Sequence, residues 1–402
     1  MSVPSNNLIF SEVFNCTFAG MPEIHFLPLA APDALYPLNV LVNPEDLLWG
    51  AAPLREIWRN KILNEGLEGQ IHGRQIHLSP LLLPVPAVLM TLKTHGASTT
   101  YARGEELVWC VGDPKAAQQG EVKQVPAEWP WLDRPMHLFT LAAEAMDSSL
   151  SYAEEHWKVK PPAELPTHVQ HIGNPEDLHI APGSKLLGCT LNTTSGPIVI
   201  GPGAEVQEGS HIRGPFMLGE GSTVKMGAKI YGPTIIGPHC KVGGEVSNSV
   251  FLGYSNKGHD GFVGNSVIGH WCNLGADTNT SNLKNTYGEV MVYDGAAGEL
   301  APSGLQFCGL IMGDHSKCGI NTMFNTGTVV GVGCNIYDSG FPPKHVPSFS
   351  WGSAGGGWVE HDLEKMLNTA RAVMSRRGVA LDEAAEERIR RAHAAAFPSG
   401  GK

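Results

Sequence analysis

An aliphatic residue returns at every sixth position in the middle of the chain, and this spacing constrains the fold more than any other feature of the sequence. An amphipathic helix has a period of about 3.6 residues and a half-buried strand a period of about two, so neither explains a period of six. A fixed repeat is typical of a solenoid, in which each unit buries its apolar side against the next. We therefore predict a left-handed parallel β-helix, in which six residues form a strand and a turn and three such units complete a triangular coil. The run comprises Ile200, Val206, Ile212, Leu218, Val224, Ile230, Ile236 and Val242.

Small residues and breaks in the repeat refine this prediction. The register slips after Val242, and we expect it to resume at Val250, with Asn256 interrupting it. It is lost between Leu274 and Met312, which predicts an extruded loop over residues 276–310. The small residues expected at the corners of the coils are Ala204, Ser210, Ser222, Ala228, Thr234 and Cys240. The later inward residues are predicted to be Phe262, Ile268 and Leu274 before the loop, and Met312, Cys318, Phe324, Val330 and Ile336 after it.

The sequence on either side of the repeat differs in character, which predicts three domains. Residues 1–165 hold most of the tryptophans and mix short apolar runs with helical stretches, as expected of an α/β domain. Residues 166–352 carry the β-helix, after a proline-rich linker at 158–166. Residues 353–402 form a helical tail, with apolar residues at helix spacing from Leu363 and a second helix from Asp382 to about residue 397. The fold class is thus mainly β, with an α/β N-terminal domain and C-terminal helices.

Composition and charge exclude several classes of partner. Net charge is −11, which argues against nucleic acid. The eight cysteines form no C-x-x-C pair and no compact framework, so we expect reduced thiols in a cytoplasmic protein. Residues 1–10 contain no basic segment, so no signal peptide is expected. The most apolar stretch, 78–90, contains two prolines and is too short to cross a membrane.

The densest group of polar residues lies in 253–288, where the repeat becomes irregular. Acyl transfer to an amine requires a base for the amine proton, donors for the acceptor's phosphate and a backbone N–H near the thioester oxygen. His259 lies between Gly258 and Gly261 and suits the role of base, because an imidazole is partly neutral near neutral pH. A surface histidine on a turn is the alternative interpretation, and the surrounding cluster favours the catalytic one. Its members are Lys257, His259, Asp260, Asn273, Asn282 and Lys284.

Longer motifs in and around this cluster resemble those of a known family. They are SGPIVIGPGAEV, KMGAKIYGP, CKVGGEVSNSVFLGYSNKGHDGF, CNLGADTNTSNLKNTYGEV, GLQFCGLIMGDHSKCGINTMFNTGTVVGV and GFPPKHVPSFSWG. Together they resemble the acyltransferase half of GlmU-type proteins, and most closely a divergent bacterial branch. GlmU-type proteins couple glucosamine-1-phosphate acetylation to uridylyl transfer in UDP-N-acetylglucosamine biosynthesis. The resemblance implies a hexapeptide-repeat N-acetyltransferase with acetyl-CoA as co-substrate.

The resemblance also implies roles for particular residues. His259 matches the catalytic base in the motif K-x-G-H. Asn273 and Asn282 match asparagines that contact the amino sugar, and Ala276 matches a position beside acetyl-CoA. Phe262 stands where better-known members have Tyr, which removes one hydroxyl contact. The other substrate-binding residues are Lys225, which matches the first of two basic residues before the base, and Lys257 and Lys284 of the cluster. No Lys matches the second basic position, and Asp277 replaces a usual Gly.

The first domain resembles the nucleotidyltransferase half of the same branch, through LYPL, PLREIW and GEELVW. Active members of the wider family clamp the nucleotide triphosphate with a Gly-rich loop that carries Arg and Lys near the N-terminus. Here no Lys or Arg precedes Arg55, and G-x-G-x-x-G is absent. A polyanion site without cations is poorly supported, so we expect a degenerate domain without efficient uridylyl transfer. Mg²⁺ is expected only if this domain is an active nucleotidyltransferase.

Three alternatives to acetyl transfer stay open on the sequence. One is a sugar-1-phosphate nucleotidyltransferase that makes UDP-N-acetylglucosamine or a related nucleotide sugar. Another is a non-catalytic solenoid, against which the His259 cluster argues. A zinc hydratase on the same scaffold needs several histidines facing one site. His72 and His77 lie outside the repeats, and the histidines at 239, 259, 270 and 315 do not show that motif.

The triangular coil also predicts the oligomeric state. Flat faces of a prism can pack around a three-fold axis, and hexapeptide acyltransferases are typically trimers with shared sites. One prism offers only shallow grooves, whereas CoA and a sugar phosphate need a cleft. We therefore expect a homotrimer, with the loop 276–310 reaching across the cleft to a neighbouring subunit.

Overall fold

The middle of the chain forms a triangular solenoid. The computed structural model describes residues 23–29, 31, 33–64, 67 and 74–398. Most solenoid strands lie in three sheets of nine, ten and six strands, and neighbouring strands within a sheet come from successive coils. Ile200 pairs in parallel with Leu218, three six-residue units later. The predicted fold class, a left-handed parallel β-helix with an α/β N-terminal domain and C-terminal helices, is confirmed.

We name the three faces of the prism by what covers them. The N-face packs against the N-terminal domain, and its strands are Leu178–Ile180, Ile198–Ile200, Phe216–Leu218, Thr234–Ile236, Val250–Gly253, Val267–His270, Leu310–Met312, Thr328–Val330 and His345–Val346. The C-face meets the C-terminal helices, and its strands are Lys185–Leu186, Glu205–Val206, Thr223–Val224, Lys241–Val242, Asn256–Lys257, Asn273–Leu274, Lys317–Cys318, Asn335–Ile336, Ser350–Ser353 and Gly357–Glu360. The open face has Gln170–Ile172, Thr190–Asn192, His211–Arg213, Lys229–Tyr231, Glu245–Ser247 and Phe262–Gly264, and the pair Asn279–Thr280 and Met323–Phe324 extends it.

The interior of the prism contains the predicted aliphatic residues. All eight members of the run from Ile200 to Val242 are at most 1% exposed. The six predicted corner residues are also fully buried, and so are the inward residues after the excursion, from Met312 to Ile336. Burial of each such aliphatic side chain contributes about 1.5–3 kcal/mol, so stacking of the coils stabilises the solenoid.

The predicted register is wrong between Val242 and Ile268. The inward residues there are Val246, Phe251, Lys257 and Val263, whereas Val250 faces the N-terminal domain and Phe262 lies on the outside of the open face. The cause is a short turn at Gly243 and Gly244, which brings Val246 inward four positions after Val242. The next corner is also one residue short. A strict period of six therefore assigns Val250 and Phe262 to the wrong side, and Asn256 is not an interruption.

The N-terminal domain is an α/β unit that packs along the N-face. Its mixed sheet has the order Glu23–Phe26, Gln75–Leu78, Glu106–Val111, Thr100–Arg103, Val122–Gln124. Its helices are Leu54–Asn64, Pro86–His95, Pro114–Gln118, His137–Thr140 and Ala142–Tyr152, with a 3-10 turn at Pro44–Asp46, a π-helical turn at Ala153–Trp157 and a small hairpin of Leu48–Trp49 and Ala52–Pro53. Its core is continuous with the outward side chains of the N-face, including Val199, Met217 and Ile235. The domain boundaries at 165 and 352 stay predictions.

The predicted extruded loop is shorter than expected and folds back on its own chain. The coil continues through Asn279–Thr280, so the excursion covers 281–309. It forms a hairpin of Met291–Asp294 and Glu299–Pro302. Val292 is buried in the core of the N-terminal domain, and Arg134 donates hydrogen bonds to the carbonyl oxygens of Pro302 and Ser303 at 2.9 and 3.2 Å. The expectation that this loop reaches across to a neighbouring subunit is therefore wrong for this structure.

Both predicted C-terminal helices are present, at Leu363–Ser375 and Glu383–Ala396. Asp362 and Asp382 cap them by accepting hydrogen bonds from the N–H groups of Lys365 and Ala385. The first helix buries Met366 and Leu367 against Phe349 of the last coil. Before it, Gly357–Glu360 reverses direction and pairs antiparallel with Ser350–Ser353.

Two expectations from composition can be compared with the described residues. Within 23–64 and 74–398, no helix is long and apolar enough to cross a membrane. Seven of the eight cysteines lie in the described part of the chain, and all seven are buried free thiols. Cys16 and the predicted absence of a signal peptide in residues 1–10 fall outside the described residues.

Candidate functional site

His259 lies on an exposed turn between the C-face strand Asn256–Lys257 and the open-face strand Phe262–Gly264. We call this edge of the prism the His259 corner. His259 is the second residue after an inward residue, and so are Met226, Ala276 and Ile320 in other coils. These positions therefore stack along the corner. His259 and Ala276 belong to successive coils, which places them about one strand spacing, about 4.8 Å, apart along the solenoid axis.

Lys257 fixes the His259 turn from inside the prism. It pairs with Val242 in the inward row and is 1% exposed. Its Nζ donates to the carbonyl oxygens of His259 at 2.5 Å and Asp260 at 2.8 Å. Burial lowers the pKa of Lys257 to about 8, although the nearby Asp260 and Asp277 carboxylates favour its charged form. Its ammonium is thus buried and engaged by the backbone, and the predicted role of Lys257 in substrate binding stays a prediction.

The short turn of the preceding coil leaves room beside His259. Gly243 and Gly244 have no side chains, and a Cβ on Gly244 would lie 2.9 Å from the carbonyl oxygen of His259. Beyond this turn, the Cβ of Lys225 lies 3.1 Å from the position a Cβ of Gly243 would take. The structure thus places Lys225 on the same corner as His259, with only backbone between them.

The next coil closes the other side of the turn. The N–H of Asp277 donates to the carbonyl oxygen of Asp260 at 3.1 Å, and the carbonyl oxygen of Ala276 accepts from Asn321 at 2.7 Å. Asp277 takes a left-handed conformation with φ of 56°. Ala276 therefore lies in the coil next to that of His259, and Asp277 holds the two coils in register.

Phe262 and Asn282 come together on the open face. A Cβ on Gly264 would lie 2.4 Å from Cζ of Phe262 and 2.8 Å from Nδ2 of Asn282, so both side chains converge over this glycine. The amide of Asn282 also donates to Oδ1 of Asn265 at 2.8 Å. Phe262 follows His259 by three residues, so this pair borders the His259 corner from the open face.

The other two predicted residues lie elsewhere. Asn273 is exposed on the C-face, paired with Asn256, and therefore borders the corner from the opposite side. Lys284 lies in the excursion, where its amine donates to the carbonyl oxygen of Glu289. Within one chain the structure thus brings together Lys225, His259, Phe262, Ala276 and Asn282, and it leaves Asn273 on the neighbouring face and Lys284 apart.

Sequence reasoning missed three residues of the corner. Asn279 accepts a hydrogen bond from the N–H of Phe262 at 2.9 Å and so fixes the open-face side. Met226 and Ile320 are 67% and 68% exposed, although both are apolar. The signal for Met226 and Ile320 was present in the repeat, since each occupies the position equivalent to His259 in its coil.

The His259 corner presents one side chain that can transfer a proton. His259 is exposed, and a small residue, Ala276, lies in the next coil. Among the described residues, no group of three or more His, Cys, Asp or Glu side chains could hold a metal ion.

Known proteins provide independent comparisons. No family model matches the chain. A bifunctional sugar-1-phosphate nucleotidylyltransferase/acetyltransferase of Sulfurisphaera tokodaii is 30% identical over 225 residues, which is 55% of this chain and 48% of that protein. The bifunctional protein GlmU of Methanocaldococcus jannaschii is 35% identical over 92 residues, which is 23% of this chain and 22% of that protein. The chain is therefore similar to GlmU-type proteins over part of their length. It spans about half the length of the first of these relatives.

Solved structures that are similar to this chain are weaker matches than these relatives. The polysialic-acid acetyltransferase NeuO is 14% identical with a TM-score of 0.27, over 48% of this chain and 85% of that chain. The N-acyltransferase AntD of Bacillus cereus is 10% identical with a TM-score of 0.23, over 52% of this chain and 90% of that chain. Scores of this size support no inference about function, so the functional argument rests on the His259 corner.

Proposed function

We propose that this protein transfers acetyl from acetyl-CoA to the amine of an amino-sugar 1-phosphate of the glucosamine-1-phosphate type. The observation that carries the proposal is the His259 corner. It presents an exposed imidazole one coil from Ala276, on a turn fixed by a buried lysine. Similarity to the bifunctional sugar-1-phosphate nucleotidylyltransferase/acetyltransferase of Sulfurisphaera tokodaii supports the same chemistry.

His259 would act as general base. The acceptor nitrogen attacks the thioester carbonyl, a new C–N bond forms, and His259 takes a proton from the nitrogen. The tetrahedral intermediate then collapses, the C–S bond breaks, and the CoA sulfur leaves and takes the proton that His259 holds, which restores the neutral imidazole. Such proton transfer typically contributes about 10²–10⁴-fold in rate. In this proposal Lys225 pairs with the acceptor's phosphate, Phe262 and Asn282 contact the sugar, and Ala276 leaves room for the acyl group.

A homotrimer is the second part of the proposal. The N-terminal domain covers the N-face and the first C-terminal helix meets the C-face, whereas outward residues such as Arg213, Lys229 and Tyr231 of the open face are exposed. A second copy on the open face would cover Met226 and Ile320 and provide the missing wall of the cleft. It would also bring another set of polar side chains to His259. We place the enzyme in the cytoplasm, where acetyl-CoA is available.

We do not propose nucleotidyl transfer by the N-terminal domain. Arg55, the first cation in the sequence, lies 2.6 Å from the Asp46 carboxylate and 3.6 Å from that of Glu45. A cation already paired with two carboxylates is a poor clamp for a triphosphate. The Mg²⁺ expected of an active nucleotidyltransferase therefore has no place in the proposal.

The direct test is release of free CoA thiol from acetyl-CoA in the presence of glucosamine 1-phosphate. We expect turnover by the wild type and a loss of about 10²-fold or more in His259→Ala, the size expected for loss of a general base. His95→Ala is the matched control, because His95 is an exposed histidine on a helix of the N-terminal domain, away from the corner and from the open face. Near-normal turnover in a folded His259→Ala variant would assign the base to another group. A wild type inactive toward every amino-sugar 1-phosphate tested would overturn the proposed function.

A further inference from the structure

A second site with charged and polar walls lies between the C-face and the first C-terminal helix. It is a cavity of about 100 Å³, lined by polar side chains of the last coils and by Met366 and Thr369 of the helix Leu363–Ser375. The polar side chains are those of His315, Lys317, Asn335, Trp351 and His361. None of these residues belongs to the His259 corner, so the proposed acetyl transfer does not account for them.

Lys317 brings a positive charge to this cavity without a partner of opposite charge. Its Nζ donates to the carbonyl oxygen of His315 at 2.9 Å, and in the described part of the chain no carboxylate lies within ion-pair distance of it. Burial lowers the pKa of Lys317, which shows that the ammonium is poorly solvated where it lies. An ammonium in this position is stabilised if an anion enters the cavity.

The acids near the cavity are already engaged. Asp314 accepts from the N–H of His270 at 2.7 Å and lies 3.2 Å from Nδ1 of the same residue. Glu360 pairs with His393 at 3.1 Å, and Asp362 caps the first C-terminal helix. The positive charge of the cavity is therefore not neutralised by these three acids.

The two histidines add capacity for hydrogen bonding to an anion. Nδ1 of His361 donates to the carbonyl oxygen of Gly333 at 2.8 Å, so Nε2 of the neutral imidazole is an acceptor for the hydroxyl group of a protonated oxyanion such as hydrogen phosphate. His315 is 7% exposed, and its Nδ1 has no hydrogen-bond partner among the described residues. A buried polar atom without a partner points to a missing one.

We propose that this cavity binds a small oxyanion, either phosphate or a terminal phosphate group of a larger molecule. Its volume of about 100 Å³ is smaller than the roughly 150 Å³ of a cavity that holds benzene, which suits a small tetrahedral oxyanion better than a sugar ring. Lys317 supplies the charge, the amide of Asn335 donates to an oxygen of the anion, and Nε2 of His361 accepts from its hydroxyl group. The anion would join the solenoid to the first C-terminal helix, because Lys317 and Asn335 lie on the C-face and Met366 and Thr369 on the helix.

The test is calorimetric titration of the full chain with inorganic phosphate in a phosphate-free buffer. We expect one site per chain in the wild type and at least a tenfold loss of affinity in Lys317→Met. Lys241→Met is the matched control, since Lys241 is an exposed lysine in the outward row of the same face and should leave affinity unchanged. Asn335→Leu provides a second variant if Lys317→Met does not fold, and it should also weaken binding severalfold.

Competition separates the two sources of the anion. If acetyl-CoA displaces phosphate, the site takes a phosphate group of a larger molecule. If it does not, the site takes the free ion, and either result supports the proposal. Absence of phosphate binding in the wild type, or equal affinity in the folded Lys317→Met or Asn335→Leu variant, would overturn it. Because titration with phosphate needs no turnover, its result is independent of whether the chain transfers acetyl groups.

Discussion

Lys257 occupies a position that the repeat reserves for an aliphatic side chain. Moving an ammonium out of water is costly unless its hydrogen bonds are satisfied. Here two backbone carbonyl oxygens accept from it, and both belong to the turn that carries His259. The buried lysine therefore gives less hydrophobic stabilisation than an aliphatic side chain would, but its hydrogen bonds fix the position of the exposed His259 turn.

Lys257→Met tests this interpretation at the level of a single side chain. Methionine fills the inward row, but the carbonyl oxygens of His259 and Asp260 lose their donor, which costs about 1–3 kcal/mol for each group that stays buried. We expect a stability change of no more than about 3 kcal/mol and a fall in kcat of about tenfold with KM nearly unchanged. Urea unfolding and acetyl-transfer kinetics measure the two effects.

Lys225→Met is the comparison, because in the proposed function Lys225 holds the acceptor's phosphate. It should raise KM for the acceptor more than it lowers kcat. If Lys257→Met changed KM alone, Lys257 would be a binding residue after all. A readout that does not depend on turnover is the NMR signal of the His259 imidazole, which should broaden or shift in Lys257→Met and not in Lys225→Met.

At the scale of elements, glycines decide how closely the turns of the His259 corner approach one another. Gly261 has φ of +105°, and a Cβ there would lie 2.2 Å from the carbonyl oxygen of Thr278 in the next coil. Gly227 lies on the same corner with φ of +70°, but a Cβ there would meet nothing within 4 Å. Alanine at position 227 would therefore suffer backbone strain alone, whereas alanine at position 261 would suffer both backbone strain and a steric clash.

We expect Gly261→Ala to destabilise the protein by several kcal/mol more than Gly227→Ala. Alanine in a left-handed conformation costs about 1–2 kcal/mol at either position. Only at Gly261 must the backbone of the neighbouring coil also move, because a contact of 2.2 Å is far inside van der Waals distance. Thermal unfolding measures both variants, and equal losses of stability would show that the coils can separate without cost.

The repeat predicted the elements better than their register. Period and corner residues were sufficient for the solenoid, and helix spacing with aspartate caps was sufficient for the C-terminal helices. The error at Val250 and Phe262 arose because the sequence Gly243–Gly244 is compatible both with a turn of normal length and with a shortened one. The inward position of Lys257 was missed for the same reason, since it follows only after the short turn is counted. The excursion was expected to extend outward because its apolar partners, in the N-terminal domain, are distant in sequence.

On the scale of the whole molecule, buried histidines link stability to pH. Burial lowers the pKa of His315 to about 3 and that of His345 to about 4. An unfolded chain returns both to about 6.5, so between pH 6.5 and 4 the unfolded state binds more protons than the folded state. Stability should therefore fall as pH drops through this range, and these residues contribute no pH dependence above about pH 7.

His345→Gln should reduce that dependence. Each proton taken up on unfolding changes the free energy of unfolding by at most about 1.4 kcal/mol per pH unit, so the slope between pH 6 and 4.5 should decrease by up to this amount. Glutamine can retain a hydrogen bond to the hydroxyl group of Tyr36, which lies 3.2 Å from Nε2 of His345. Urea unfolding across this range measures the slope, and the exposed His211→Gln should leave it unchanged. An unchanged slope in His345→Gln would assign the acid sensitivity to other groups.

The proposed trimer makes a prediction at the same scale. Met226 and Ile320 expose apolar surface on the His259 corner, and a second copy would bury it. We expect light scattering to give a mass of three chains for the wild type and a shift toward one chain for the double variant Met226→Glu and Ile320→Glu. Met90→Glu is the control, because Met90 is equally exposed at 67% but lies on the N-terminal domain. A wild-type mass of one chain would refute the trimer.

The reversed strand Gly357–Glu360 has a consequence for how this protein behaves at high concentration. A stack of parallel coils ends in unpaired backbone, onto which the first coil of another molecule could add, as in a growing fibre. At the end of the C-face the last strand runs antiparallel to its neighbour, so a further parallel coil meets a partner of the wrong polarity. The helices that follow occupy the same end of the molecule through Phe349 and Met366. A repeat of this kind could in principle continue without limit, and here the reversed strand and the helices stop it. Removal of residues 357–402 should therefore turn a discrete protein into one prone to polymerise end to end.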